Sequence, residues 1–291
     1  MGKYTLNDLE KLTGIKADTI RIWEKRYGII AAQRTPTNRR WYTDDELRRM
    51  INVSILNRNG IKISAIAALP ADVIEEKTAD LIRTSADPDM LSGSLLIAMT
   101  RLDEDSINEI LLSSVIKNGF EGTFSSAVFP FLKKIGVLWH TGSVNVGTEH
   151  FISNILRRKL IAAFENLHSL KTPGSKKILM FLPENEFHEL GLLYYAYIAR
   201  RLGHQVLYLG QTTPLDAAVQ TGEEWNPDII ITGALSGLSV EDPEEFILRA
   251  SACFKSQKLI FTGILAEAAA RKRVRGVFAC RSDKDLIKLL R

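Results

Sequence analysis

Lys177-Ile178-Leu179-Met180-Phe181-Leu182-Pro183-Glu184-Asn185-Glu186-Phe187-His188-Glu189-Leu190-Gly191 is the stretch that decides how the second half of this chain folds. Its apolar run, Ile178 to Leu182, has the composition of a buried strand, and the residues from Leu192 to Leu202 repeat their apolar positions at helical spacing. His188 therefore falls on a strand-to-helix loop. In an open α/β sheet such a loop lies at the carboxyl end of a strand, where these folds bind ligands. Glu186, two residues before His188, is placed to accept a hydrogen bond from one ring nitrogen and leave the other as a lone-pair donor for a metal. Gly191, three residues after it, allows a large group close to the backbone. Taken alone, the stretch favours a plainer reading, a loop histidine satisfied by Glu186 or a carbonyl.

Working outward, short apolar runs alternate with helical segments from Ser175 onward. Strands are expected at Lys177 to Leu182, Gln205 to Leu209, Asp228 to Thr232, Lys258 to Thr262 and Gly276 to Ala279. This alternation predicts a parallel sheet with right-handed crossovers, and five strands make a flavodoxin-like, Rossmann-like domain over 175–291. Three further loops share the edge that carries His188: Leu209 to Pro214, Ala234 to Ser239, and Phe261 to Ile264. All are rich in small and hydroxyl residues, as any nucleotide-binding sheet edge could be. His168 and His204 read as solvated, Tyr194, Tyr195 and Tyr197 as packing residues, and Cys253 and Cys280 as small buried hydrophobes.

Residues 71–170 show no strand-like alternation and parse as four or five amphipathic helices, with pieces at Ile74 to Arg83, Met90 to Leu102, Asp103 to Asn118, Phe124 to His140 and Val146 to Leu167. The plain reading of such a bundle is a dimerisation spacer. One cluster is unusual: Leu138-Trp139-His140-Thr141-Gly142 ends one helix, and Gly147-Thr148-Glu149-His150 begins the next.

Charge distinguishes residues 1–70. The formal charge is +4 overall, yet Met1 to Leu69 contains thirteen Lys and Arg against seven Asp and Glu, which leaves the remaining residues slightly acidic. Leu6, Leu9 and Leu12 share a helical face, with Thr5 as N-cap and Gly14 as the stop. A second helix runs through Ile20, Trp23 and Tyr27 to Gly28, which makes a helix-turn-helix. Ile29 to Tyr42 has the composition of two short strands around a polar turn, and Thr43-Asp44-Asp45-Glu46 is a capping box for a helix that ends near Asn59-Gly60. Thr19, Arg21, Lys25 and Arg26 on the second helix, and Arg34, Arg39, Arg40 and Tyr42 on the wing, are the candidate contacts to double-stranded operator DNA.

An apolar fraction of 45% and a charged fraction of 25% are those of a soluble globular protein. No apolar run reaches the roughly 18 residues of a membrane span and no apolar signal region opens the chain, so a cytoplasmic protein without a membrane partner is expected. No set of side chains reads as catalytic, and the expectation is a regulator and not an enzyme.

Ile22-Trp23-Glu24-Lys25-Arg26-Tyr27-Gly28 followed by Arg39-Arg40-Trp41-Tyr42 resembles the winged DNA-binding domain of the MerR family. The E-x-H-x-x-G of Glu186, His188 and Gly191 resembles the cobalamin-binding loop of B12-dependent mutases, methionine synthases and B12-binding regulators. Trp139 with Glu149-His150, spaced W-x9-E-H, resembles the bundle of light-sensing, cobalamin-dependent MerR-type regulators of the CarH and LitR kind. The resemblance implies that His188 ligates cobalt of adenosylcobalamin from below. It gives Trp139 and Glu149 the enclosure of the adenosyl group, His140 the upper cobalt position after photolysis, and His150 the place of a pocket partner. The family pattern also places the cofactor's nucleotide tail along Ser236 and Leu238, which fit its S-x-L, and along Thr262-Gly263, where the family has Gly-Gly. Thr262 thus adds a hydroxyl and a β-carbon beside the tail. The function implied is a self-associating dimer or tetramer that holds DNA in the dark as a repressor and releases it in light. Other readings of the same architecture are a cobalamin-responsive regulator without light sensing, a regulator that lacks the cofactor, a MerR regulator sensing another small molecule, and a corrinoid methyl carrier.

Overall fold

The computed structural model describes all residues except 1, 86, 141–142, 168–173, 236–239 and 241, and the side chains of 83, 84, 137, 139 and 140 also lie outside the described set. The chain forms two compact units, Met1–Ser153 and Asn154–Arg291.

The first unit opens with helices α1 (Leu6–Thr13) and α2 (Ala17–Tyr27), the two-residue strands β1 (Gln33–Arg34) and β2 (Arg40–Trp41), and helices α3 (Asp44–Arg58) and α4 (Ile63–Ala67). Local chemistry fixes these boundaries. Thr5 and Asp8 form a reciprocal capping box before α1, Thr43 and Glu46 form another before α3, and Gly14 at φ 70° closes α1 in the left-handed conformation. β1 and β2 pair antiparallel as a wing, and Tyr4 bridges Tyr42 through two backbone hydrogen bonds of 2.8 and 2.9 Å. Four helices follow, α5 (Ala71–Thr84), α6 (Pro88–Thr100), α7 (Glu104–Thr123) and α8 (Phe129–His140), and α9 (Val146–Glu165) begins in this unit and continues into the second. α7 is broken at Gly119, which has φ 72° and ψ 166°, and a π-helical turn, Phe124–Val128, leads into α8. α3 is the shared core element, since Leu47, Met50, Ile51, Val53 and Leu56 are buried and it packs against α1, α4, α5 and α6. Each such aliphatic side chain contributes about 1.5–3 kcal/mol of burial free energy.

The second unit alternates β3 (Lys177–Phe181), α10 (Leu190–Arg201), β4 (Gln205–Gly210), α11 (Leu215–Trp225), β5 (Ile229–Ala234), α12 (Pro243–Cys253), β6 (Lys258–Gly263), α13 (Ile264–Lys272), β7 (Val277–Cys280) and α14 (Asp283–Leu290). The five strands are parallel in the order β4-β3-β5-β6-β7, the doubly wound arrangement expected from the alternation. Leu179, Phe181, Ile230, Leu259 and Phe261 alternate onto the face covered by α11, α12 and α13. The chain reverses direction across the sheet at β3 and β5, so the loops after these two strands diverge and leave a crevice at their carboxyl ends.

Two expectations are corrected here. His204 is buried and not solvated, because its Nδ1 accepts the Lys176 backbone N–H at 3.2 Å. Burial, the largest influence, holds its pKa below 6.5, the Lys176 charge acts the same way, and a hydrogen bond to the Leu290 backbone opposes them. Cys280 is buried as expected, whereas Cys253, at the end of α12, is exposed. Among the residues that follow His188, Tyr194 packs as expected, fully buried on α10. His168 lies outside the described residues.

Candidate functional site

The His188 loop is held from three sides. Glu186 is 1% exposed, and its Oε1 lies 2.6 Å from His188 Nδ1 and accepts the His188 backbone N–H at 3.0 Å. Its Oε2 accepts the backbone N–H of Leu235, at the end of β5, at 2.8 Å. One carboxylate therefore ties the β3 loop to the β5 loop across the crevice. A carboxylate on Nδ1 selects the tautomer whose lone pair is on Nε2 and fixes the ring's orientation, as a metal-ligating imidazole requires. The imidazole is 54% exposed at this edge. The next residue, Glu189, is buried and accepts Arg157 Nε at 2.5 Å and the Tyr208 hydroxyl at 2.8 Å. Burial and then the Glu189 charge raise the Tyr208 phenol pKa.

The loop after β4 braces the same segment. Thr212 Oγ1 accepts the Asn185 N–H at 3.0 Å, Thr212 N–H donates to the Glu186 carbonyl at 3.2 Å, and Gln211 Nε2 donates to the Phe187 carbonyl at 2.6 Å. Gln211 and Thr212 thus brace the loop. Gly191 is exposed in the first turn of α10, and a β-carbon there would meet no atom within 4 Å. Since its φ is not positive, the backbone does not need glycine, and the open space above it suits the close approach of a large ligand. The residues present fit cobalamin: one oriented imidazole is the donor set for a metal that brings its remaining ligands with it.

Gly263 has a reason within the fold. Its φ is 62°, and a β-carbon would fall 2.0 Å from the Ala234 carbonyl oxygen. Thr262 is half-buried and lies opposite Gly233 of β5, where a β-carbon on residue 233 would approach the Thr262 hydroxyl to 1.9 Å. The absent side chain on β5 makes room for the added one on β6. Ser236 and Leu238 lie outside the described residues.

In the first unit, Trp139 and His140 end α8, with side chains outside the described set, and Glu149 and His150 sit in the first turn of α9. His150 Nδ1 is 2.9 Å from Glu149 Oε2, with the side chains 66% and 28% exposed. Asn145 Oδ1 accepts the Thr148 N–H at 2.9 Å and so caps this helix.

The winged helix-turn-helix presents Arg21, Lys25 and Arg26 on exposed α2 and Arg34, Arg39 and Arg40 on the exposed wing, with Thr19 half-buried near the start of α2. Glu24 couples the two parts: its Oε1 accepts the Ala32 N–H at 2.9 Å and its Oε2 lies 3.9 Å from Arg40 Nε. Tyr42 is corrected from a DNA contact to a core residue. It is fully buried against Tyr4, with its hydroxyl 3.4 Å from Glu24 Oε2, and burial, followed by the Glu24 charge, pushes its pKa up to about 12. Ile22 was missed by sequence reasoning. It is 57% exposed on α2 beside Arg21, an apolar group suited to a thymine methyl. Its signal is its place off the Ile20, Trp23 and Tyr27 face.

The family model for MerR HTH regulatory proteins matches residues 4–71, and the model for B12 binding domains matches residues 92–163, the helical segment that contains Trp139, His140, Glu149 and His150. The HTH-type transcriptional repressor CarH of Myxococcus xanthus is 28% identical over 253 residues, which are 84% of this chain and 83% of that protein. CarA of the same organism, also an HTH-type transcriptional repressor, is 24% identical over 297 residues, 98% of this chain and 95% of that one. Among solved structures, the monomethylamine corrinoid protein of Methanosarcina barkeri is 13% identical, covers 74% of this chain and 95% of its own, and superposes with a TM-score of 0.48. No helix among the described residues is long and apolar enough to cross a membrane. The chain thus joins a MerR-type helix-turn-helix at residues 4–71 to a B12 binding domain at 92–163, and over most of its length it is homologous to the CarH and CarA repressors.

Proposed function

We propose that the protein is a light-responsive repressor that uses adenosylcobalamin as its sensor. The observation that carries this reading is the Glu186 carboxylate, buried and 2.6 Å from His188 Nδ1, at the crevice of the doubly wound sheet. His188 would hold the cobalt, Glu186 would fix its ring, and Gly191 would leave room for the macrocycle. Bound there, the cofactor supplies a cobalt–carbon bond that visible light breaks. Trp139, Glu149 and His150 would hold the adenosyl group, and His140 would offer a second imidazole to the cobalt. Thr262-Gly263, Ser236 and Leu238 accommodate the nucleotide tail.

The basic wing and α2 hold operator DNA, and subunits that self-associate in the dark hold it multivalently. Separation of the subunits lowers the effective concentration of each reading head and releases the DNA. Gel filtration and gel-shift of protein loaded with adenosylcobalamin, on duplex DNA flanking its own gene, test this. Green light is expected to reduce the assembly size and weaken DNA binding by about tenfold or more. Equal elution and equal shift in dark and light contradict it.

A further inference from the structure

A cleft of about 680 Å³ opens between α3, α5, α6 and α7 in the first unit, a size typical of small-molecule sites. It is lined by none of the residues assigned to the cobalamin site. Its apolar walls come from Ile82 of α5, Ile97 of α6 and Ile110 of α7. At its base is Asn52 of α3, 4% exposed among core side chains. The Asn52 amide makes no hydrogen bond to any described residue, although it offers two donors and an acceptor.

The other buried polar groups on these walls are satisfied by the chain itself. Thr78 donates to the Ile74 carbonyl at 2.8 Å, Ser94 to the Met90 carbonyl at 2.8 Å, and Ser114 shares a 2.9 Å hydrogen bond with Thr123. At the mouth, Glu75 and Arg101 pair at 2.8 Å. Among the buried polar side chains of the lining, the Asn52 amide is the one without a described partner, while the exposed lining residues include the charged Glu109 and Lys117. The Asn52 amide atoms are not among the side-chain atoms sealed from solvent without a partner, so the amide is open to a partner that enters through the cleft, while an aliphatic residue would pack as well against the apolar neighbours.

We propose that this cleft is a second effector site, separate from cobalamin, for an uncharged amphipathic small molecule that places a carbonyl or amide against Asn52 and its apolar body along Ile82, Ile97 and Ile110. α3 is the helix that leaves the DNA-reading wing, and its Thr43 cap follows β2 directly. An occupant therefore touches the DNA-binding part and the helical part together.

The test uses the full chain without cobalamin and the dye Nile red, which is uncharged, planar and carries one carbonyl. Saturable one-to-one binding with blue-shifted emission is expected. Ala79→Trp, an exposed rim substitution that fills the cleft, should abolish it. Asn52→Leu should weaken binding about tenfold, the equivalent of one hydrogen bond, and shift the emission further to the blue as the carbonyl loses its donor. Its melting temperature should match or exceed that of wild type, which separates this loss from unfolding. Non-saturating binding, no binding, undiminished binding to Ala79→Trp, or an Asn52→Leu protein with wild-type affinity and emission would each overturn the proposal.

Discussion

Two histidines in this chain share the same partner chemistry and differ in everything around it. His188 and His150 each place Nδ1 within hydrogen-bond reach of a glutamate, at 2.6 and 2.9 Å. Glu186 is buried and receives backbone N–H groups from its own loop and from the neighbouring strand end, whereas Glu149 lies on a helix surface with a quarter of its side chain in solvent. A carboxylate immobilised by its own partners can orient a ring. One on a solvated helix turn gains little from the contact. In the proposed function this contrast favours His188 for the fixed ligand position and His150 for a secondary role. His204 is a third case, buried and held by backbone partners, the Lys176 N–H among them, with no carboxylate beside it among its described contacts.

The strongest way to break this contrast is His188→Ala, expected to lower cobalamin retention by about 100-fold or more, since the variant removes the metal donor itself. Equilibrium dialysis measures it, and retention unchanged within twofold would dissolve the contrast. Glu186→Gln follows. The described groups that hydrogen-bond this carboxylate, the His188 ring and backbone N–H and the Leu235 N–H, are donors, so an amide NH2 would meet one of them. Cobalamin affinity should fall by about 10- to 100-fold, and chemical denaturation should show a loss of about 1–3 kcal/mol.

His204 should report through pH. Its folded pKa lies below the unfolded value of 6.5, so the unfolded chain binds the proton more readily. Its contribution to stability is complete above pH 6.5 and is lost as the pH falls through the folded pKa. Melting temperature scanned from pH 8 to 5 should drop for wild type and drop less for His204→Gln, and parallel curves would refute the assignment. The smallest effect is expected for His150→Ala, with cobalamin affinity within about threefold of wild type, as for an exposed pair worth less than about 1 kcal/mol. A loss as large as that of Glu186→Gln would show that the two pairs are equivalent.

The order of elements was legible because local signals set it. The N-cap at Thr5, the capping box at Thr43, the Gly14 stop and the alternation after Ser175 each act over a few residues, and the structure has a helix or strand at each. The pairing of Glu186 with His188 was legible for the same reason, because the two are neighbours in sequence. What escaped reading depends on distant partners. Glu189 is fixed by Arg157 and Tyr208, 32 and 19 residues away. The burial of Tyr42 depends on Tyr4 at the other end of the winged domain, and an aromatic residue next to two arginines looks like a DNA contact until that bridge is seen. His204 looked solvated beside a glycine turn, yet the backbone of Lys176 reaches it. Thr262 looked like an intrusion at the tail, and the compensating Gly233 lies on another strand.

The account rests on a pre-oriented His188. The absorption spectrum of the full chain after dark loading with adenosylcobalamin and desalting tests it most directly. The account predicts retained cofactor with a base-off, histidine-ligated spectrum that is lost in His188→Ala. Cofactor that passes through the column unbound, or an identical spectrum in His188→Ala, would contradict it.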